Sequence, residues 1–303
     1  MKKYLIIGGA GFIGSCLSKT LLDLGNNVIV IDGLPPKEPD LKIKYYQVNI
    51  KDSEKVQEVF EKEKPNMVYY LAGPINLRKP IDDPLFLKEM DFLTGIKITL
   101  DTCKNFNVEK LIFVSSGGAI YQDAKLVPTK EEYLAHPTTL YGLANLAIEK
   151  YILSYAKINR INAVIARLAN VYGPAQWKSG FIPAMILKML NRESPIINDT
   201  GRQTRDFIYI NDAVLALVAL EKKNKSEVYN IGGGKEISLN KVFSLINKLL
   251  GVKIKPTYQK LSNLETKRSF LDIKKIKKEF GWTPKTDIES GLLKTIAFMK
   301  HKT

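Results

Sequence analysis

Histidine and cysteine are scarce in this 303-residue chain, with two of each. Cys16 and Cys103 fall in predicted helices, with no CxxC spacing and no histidine nearby. They read as buried free thiols of a reducing cytoplasm. His136 precedes a proline in a loop and His301 lies in the tail. A histidine-based nucleophile relay and a zinc site both lack their parts, so no metal is expected. No apolar run reaches the roughly eighteen residues that a membrane helix needs, so no membrane partner is expected. The opening MKKYLIIGGAGFIG has the lysines and the apolar run of a signal peptide. Its glycines and the absence of a cleavage pattern argue against export. Repeats, low-complexity tracts and long linkers are absent as well.

What is abundant is lysine, and the formal net charge is +15. The lysines are scattered, as in EKEKPN, KKNK and IKKIKKEF, and do not form one basic block interleaved with aromatics. That pattern reads as a solvated lysine-rich surface, then as attraction for a phosphate-bearing substrate; nucleic acid ranks last and is not expected. The length suits one large domain or two small ones.

The first half alternates short apolar runs with helical patterns. KYLIIGG, NVIVID, KYYQVNI, NMVYYLAG, KLIFVSS and NAVIARLAN read as buried parallel strands. Between them, helices are predicted at Ile13 to Leu24, Ser53 to Lys62, Pro84 to Asn105 and Tyr141 to Lys157. This alternation predicts an α/β fold, a doubly wound parallel sheet. After Tyr172 the pattern loosens, and a smaller α/β lobe is predicted over 172–303, interleaved with a sheet domain over 1–171 that part of 203–235 joins.

IIGGAGFIG places Gly8, Gly11 and Gly14 directly after a strand and at the opening of a helix. Such glycines allow a tight turn, the approach of a pyrophosphate to backbone, and close helix–sheet packing. The N–H groups at the helix start, at Phe12 and Ile13, suit an anion. The second strand ends in Asp32, which can accept hydrogen bonds from an adenosine ribose and would repel a 2′-phosphate. NAD is therefore favoured over NADP, although Lys37 lies close in sequence. Asn49 and Ile50 are placed to flank the adenine, Asp52 to cap the next helix, and Leu71, Ala72 and Gly73 to let the cofactor approach the fourth strand. The domain is thus Rossmann-type.

With these pieces in order the chain resembles the extended short-chain dehydrogenase/reductases, in particular the nucleotide-sugar epimerases, dehydratases and reductases. The resemblance runs through GGAGFIG, Asp32, LAG, FVSSGGAIY, YGLAN, RLANVYGPAQ, QTRDFIYINDA, YNIGGG and LDIKKIKKEFGW, and covers nearly the whole chain. It implies that Tyr141 transfers the proton. In that family the lysine of YxxxK favours the phenolate and holds the nicotinamide ribose; here Asn145 stands in its place. The family hydroxyl beside the tyrosine falls at Gly117, so Ser116 is the nearest candidate and Ser115 is expected to face the cofactor. Three readings follow: a working Tyr141 without its lysine, a protein that binds but turns over poorly, or Tyr141 as a packing residue.

The resemblance further implies a nucleotide-diphosphate sugar as partner. Gly117 and Asn170 would lie on the sugar or diphosphate side, and Arg205 would fork onto phosphate oxygens, with a salt bridge to Asp206 or another acid as its structural alternative. A second family arginine falls at Ser262, with Arg268 displaced from it. Trp177 to Lys188 would contact the nucleotide base. The helices at Pro84–Asn105 and Tyr141–Lys157 would form a homodimer, with Leu146, Ile152 and Tyr155 either in that interface or on an ordinary buried face. The expected activity is epimerisation through a transient keto-sugar in the cytoplasm. A 4-ketosugar reductase and an impaired binding protein are the alternatives.

Overall fold

A computed structural model describes residues 1–36, 40, 42–73, 92–122, 124–176, 180–260 and 266–301. Lys37, Ser262, Trp177 and the predicted helix start at Pro84 lie outside them.

Two units cluster separately. The first comprises Met1–Ile120, Pro137–Arg167 and Leu217–Tyr229, and the second Tyr121–His136, Leu168–Ala216 and Asn230–Thr303. The sheet unit thus closes at Arg167 rather than at 171, and residues 121–136 cluster with the second unit.

The main sheet contains β1 (Lys3–Ile7), β2 (Asn27–Asp32), β3 (Lys44–Gln47), β4 (Met67–Tyr70), β5 (Lys110–Ser116), β6 (Ala163–Leu168) and β10 (Glu227–Ile231). Their spatial order is β10-β6-β5-β4-β1-β2-β3. The order of the first six is that of a doubly wound dinucleotide sheet, with its switch point between β1 and β4. β1 pairs in parallel with both β2 and β4, and β4 with β5. The interior strands are apolar on both faces because helices cover both.

Those helices are α1 (Phe12–Asp23), α2 (Ser53–Glu63), α3 (Phe92–Asn105), the single turn α4 (Gly117–Ile120) and α5 (Leu140–Asn159). Each start has a local cause. The Asp52 carboxylate accepts the Lys55 N–H and caps α2. The Thr139 hydroxyl accepts the Gly142 N–H and caps α5. Ile148, Ile152 and Ala156 of α5 join Ile96 and Leu100 of α3 in the core. Ile152 is therefore an internal packing residue, not an interface one.

One end of β1 and β4 is tied to the segment that precedes β10. Tyr4 and Tyr69 both donate to Glu221, at 2.8 and 2.6 Å, and Lys110 Nζ donates to the Glu221 carbonyl. Burial, helped by the Glu221 charge, pushes both phenols well above their ordinary value.

The second unit holds a three-stranded sheet of β11 (Glu236–Ser238), β9 (Thr204–Tyr209) and β7 (Asn170–Tyr172), in that order, and a two-stranded one of β8 (Ile196–Asn198) and β12 (Thr257–Gln259). Its helices are α6 (Phe181–Leu190), α7 (Ile210–Ala219, whose last residues belong to the first unit), α8 (Leu239–Leu250), α9 (Lys274–Phe280) and α10 (Ile288–Lys300). The Asp287 carboxylate accepts the Ser290 N–H and caps α10.

Candidate active site

The glycine loop sits at the switch point. Gly8 has φ +85°, a left-handed conformation that side chains disfavour, and a Cβ there would lie 2.8 Å from the Ala72 nitrogen. β1 and β4 therefore separate around a backbone with no side chain between them. A Cβ on Gly14 would lie 2.3 Å from the Gly8 carbonyl oxygen, so α1 can start against the loop only with glycine there. α1 carries no side-chain cap and no acid in its first turn. The N–H groups of Phe12, Ile13 and Gly14 stand in that first turn, where the helix itself offers no acceptor.

Asp32 is fixed at the end of β2. One carboxylate oxygen accepts the Ala10 N–H at 2.9 Å and the other the Leu34 N–H at 3.0 Å. The acid and the glycine loop are thus one hydrogen-bonded object. A cavity of about 460 Å³ opens beside them, lined by Gly8, Asp32, Asn49, Ile50 and Ala72, together with Gln47 and Val48. Sequence reasoning missed the last two, although both continue the KYYQVN run at the end of β3. It also missed Tyr45, half-buried on β3, whose phenol is pushed up to about 12 by burial and by the nearby Asp32 charge. Leu71 donates its N–H to the Ile7 carbonyl at 2.8 Å, and Gly73 is exposed just beyond.

Tyr141 opens α5. Its backbone is brought close to the end of β5 by Gly142, where a Cβ would lie 2.4 Å from the Ala119 carbonyl oxygen. Ser116, the last residue of β5, and Asn145, one turn along α5, are the neutral hydrogen-bonding side chains that act on the Tyr141 phenol. Burial pushes the phenol above its ordinary value, and these two side chains hold it back in part. Asn145 is buried and its Nδ2 also donates to the Tyr141 carbonyl oxygen at 2.8 Å. Gly117 is the buried first residue of α4.

Ser115 is held inside the unit. It is buried, and its hydroxyl donates at 2.5 Å to Glu149 rather than facing open space. Glu149 also takes a forked interaction from Arg167 of β6, with Nε at 3.0 Å from both oxygens and Nη2 at 2.6 Å from one. Both side chains are almost wholly buried. Tyr141, Asn145 and Glu149 recur at four-residue intervals and so share one stripe of α5. The signal for this pair was a carboxylate in a buried stripe, which demands a partner.

In the second unit, Asn170 Nδ2 donates to the Asp206 carbonyl at 3.2 Å. Arg205 Nη1 donates to the carbonyls of Thr204 and Thr266, at 2.8 and 2.7 Å. The alternative of an Arg205–Asp206 salt bridge fails because neighbours on a strand point to opposite faces. Asp206 is instead fully buried and accepts N–H groups from Gly233 and Leu271. Burial pushes its carboxyl up to about 7 against those two bonds. Arg268 is held by Glu236 in a forked pair, both contacts at 2.7 Å.

Among the described residues no cluster of His, Cys, Asp and Glu could hold a metal, and no helix is long and apolar enough to cross a membrane.

Comparison with known proteins agrees with this geometry. A Thermotoga maritima UDP-glucose 4-epimerase, solved with UDP-glucose, superposes with a TM-score of 0.94 at 31% identity, covering 99% of each chain. A Methanocaldococcus jannaschii protein provisionally named UDP-glucose 4-epimerase is 35% identical over 98% of each chain. The Escherichia coli dTDP-4-dehydro-6-deoxyglucose reductase is 29% identical, again over 98% of each. Residues 4–232 match the family described as NAD dependent epimerase/dehydratase, and to that family this chain belongs.

Proposed function

We propose that the protein is an NAD-dependent enzyme that epimerises a nucleotide-diphosphate sugar through a transient keto-sugar. The observation that carries the reading is the half-buried Tyr141 phenol with Ser116 acting on it, in the same unit as a glycine loop tied to Asp32. The residues fit the dinucleotide. Gly8 leaves the space a Cβ would fill, Phe12, Ile13 and Gly14 offer N–H groups, Asp32 supports the adenosine ribose, and Asn49, Ile50, Leu71, Ala72 and Gly73 line its approach. Bound NAD supplies a hydride acceptor that later returns the hydride to the sugar carbon.

Tyr141 takes the proton of the sugar hydroxyl as the carbonyl forms and returns it on reduction. Ser116 orients that hydroxyl, and Asn145 fixes the ring. Gly117 leaves room on the substrate side, and Asn170 and Arg205 contact the diphosphate. Gly117, Gly118 and Ala119 provide no acid for eliminating water, which ranks dehydration below epimerisation. A 4-ketosugar reductase is the second reading, favoured by the raised Tyr141 phenol, because a retained proton suits donation.

The proposed setting is the cytoplasm, which suits two free cysteines. The proposed assembly is a homodimer through α3 and α5. Leu146, Tyr151 and Leu153 are half-buried on α5, and Tyr155 donates to Asp101 of α3 at 2.6 Å. Sedimentation should show a dimer.

The test is product analysis by NMR and mass spectrometry with UDP-, dTDP-, GDP- and CDP-sugars and NAD⁺. An isomer of equal mass is expected, and Tyr141→Phe should slow its formation by about 10²–10⁴. Substrates returned unchanged while dinucleotide stays bound would refute the enzymatic reading.

A further inference from the structure

One buried carboxyl in the second unit joins three segments of chain. Asp206, on β9, has no solvent exposure. Its Oδ1 accepts the Gly233 N–H at 2.7 Å and its Oδ2 the Leu271 N–H at 3.3 Å. The turn after β10 is pressed onto it: a Cβ on Gly232 would lie 2.2 Å from Oδ2, and one on Gly233 2.0 Å from the Phe207 carbonyl oxygen. Among the described residues no cation pairs with this acid. A buried acid without a cation costs stability, so packing alone does not call for one. What the carboxyl supplies is an acceptor oxygen for each N–H; an amide of the same shape has only one acceptor oxygen.

The tie to Leu271 bears on Arg205. Residues 266–271 run beside β9, where Thr204 donates its N–H to the Lys267 carbonyl at 3.0 Å and accepts the Ser269 N–H at 3.2 Å. Asp206 holds Leu271, the far end of the same segment. At the near end the Thr266 carbonyl accepts Arg205 Nη1 at 2.7 Å. Arg205 and Asp206 point to opposite faces of β9, so the carboxyl reaches the guanidinium only through this segment.

We propose that Asp206 is a positioning residue for Arg205: by fastening Leu271 it sets the place of the Thr266 carbonyl on which the guanidinium rests, and so prepares that guanidinium for a nucleotide-sugar diphosphate. The inference rests on the contact that Proposed function gives Arg205 and adds the residue behind it. A side chain ordered before binding spares the ligand the cost of ordering it. The Asn170 amide donates to the Asp206 backbone carbonyl, which a side-chain substitution leaves in place, so the effect of such a substitution runs through Arg205. The relation is reciprocal: a ligand that holds Arg205 also steadies the Leu271 N–H on Asp206.

The experiment is calorimetric titration of the purified protein with UDP-, dTDP-, GDP- and CDP-glucose, continued with the tightest of them. Arg205→Ala should weaken binding about tenfold to a hundredfold, as the loss of a charge-assisted hydrogen bond does. Asp206→Asn should weaken it about fivefold to tenfold while NAD⁺ affinity stays as it was. The double variant should bind no more weakly than Arg205→Ala alone, a non-additivity that a merely structural Asp206 would not produce. Hydrogen exchange gives a reading that needs no change at Asp206. In the unaltered protein the ligand should slow exchange of the Leu271 N–H, and Arg205→Ala should remove that slowing. An unaltered affinity in Asp206→Asn, losses that multiply in the double variant, or Leu271 exchange indifferent to the ligand overturns the inference and leaves the diphosphate contact standing. An unaltered affinity in Arg205→Ala, or failure of all four nucleotide sugars to bind, overturns both.

Discussion

Removing the Glu149 carboxylate should destabilise the sheet unit far more than removing any surface ion-pair partner. Glu149 accepts from Ser115 and from both Nε and Nη2 of Arg167, and neither side chain of the pair has appreciable solvent access. Glu149→Ala would leave a guanidinium buried without its carboxylate and a serine hydroxyl without its acceptor. Breaking a buried pair from one side costs about 3–5 kcal/mol, because the remaining charge keeps its desolvation penalty. The Lys248–Glu289 pair provides the contrast: at 2.8 Å it is nearly as short, but its side chains are 70% and 46% exposed. Lys248→Ala should cost less than about 1 kcal/mol. Urea unfolding followed by intrinsic fluorescence measures both. The double variant Glu149→Leu with Arg167→Met should recover most of the loss, since replacing both partners by apolar groups removes the stranded charge. A Glu149→Ala midpoint indistinguishable from that of Lys248→Ala would refute the reasoning. So would a double variant no better than the single one.

Gly14→Ala forces a Cβ to within 2.3 Å of the Gly8 oxygen and should cost roughly 1–3 kcal/mol while lowering dinucleotide affinity, measured by thermal shift with and without NAD⁺. Asp206 predicts a pH dependence in the second unit. Its folded pKa of about 7 lies above the unfolded carboxyl value, so the folded state binds the extra proton. Its contribution is full below about pH 4 and lost as pH rises to about 7, amounting to roughly 4 kcal/mol at most. Asp206→Asn should flatten the fall in urea midpoint between about pH 5 and about pH 8, and an unchanged slope would count against the buried acid.

Much of the sheet unit was legible because its signals are periodic or local. Apolar runs gave the strands, and the glycine loop followed by Asp32 gave the β1–α1–β2 unit, but not the contact between the acid and the Ala10 N–H, which only the folded loop brings about. The proposed proton-transfer site was legible in part. Tyr141 and Asn145 share a helix, so their spacing fixes their geometry. Ser116 belongs to another element, and which residue of the serine-glycine run meets the phenol depends on where β5 ends and α4 begins. The bond from Ser115 to Glu149 was not legible for the same reason, since a shift of one residue on a strand turns a side chain to the other face. Glu149 and Arg167 lie on a helix and a strand whose approach no local pattern encodes. Gln47 and Val48 join the cavity only because β3 packs at the sheet edge beside β2.

The return of the chain at Leu217 has a consequence for synthesis. Through β6 the sheet can assemble as its strands emerge, but β10 and Glu221 are made only after residues 168–216, which belong to the other unit. At roughly 5–20 residues per second, a nascent chain stands for several seconds with β6 as a bare edge and the Tyr4 and Tyr69 hydroxyls without their carboxylate. An unpaired apolar edge is a template for pairing with a neighbouring chain. Slow translation across 168–226 should therefore raise aggregation, and release of the chain after Arg167 should yield an insoluble fragment rather than a smaller dinucleotide-binding protein.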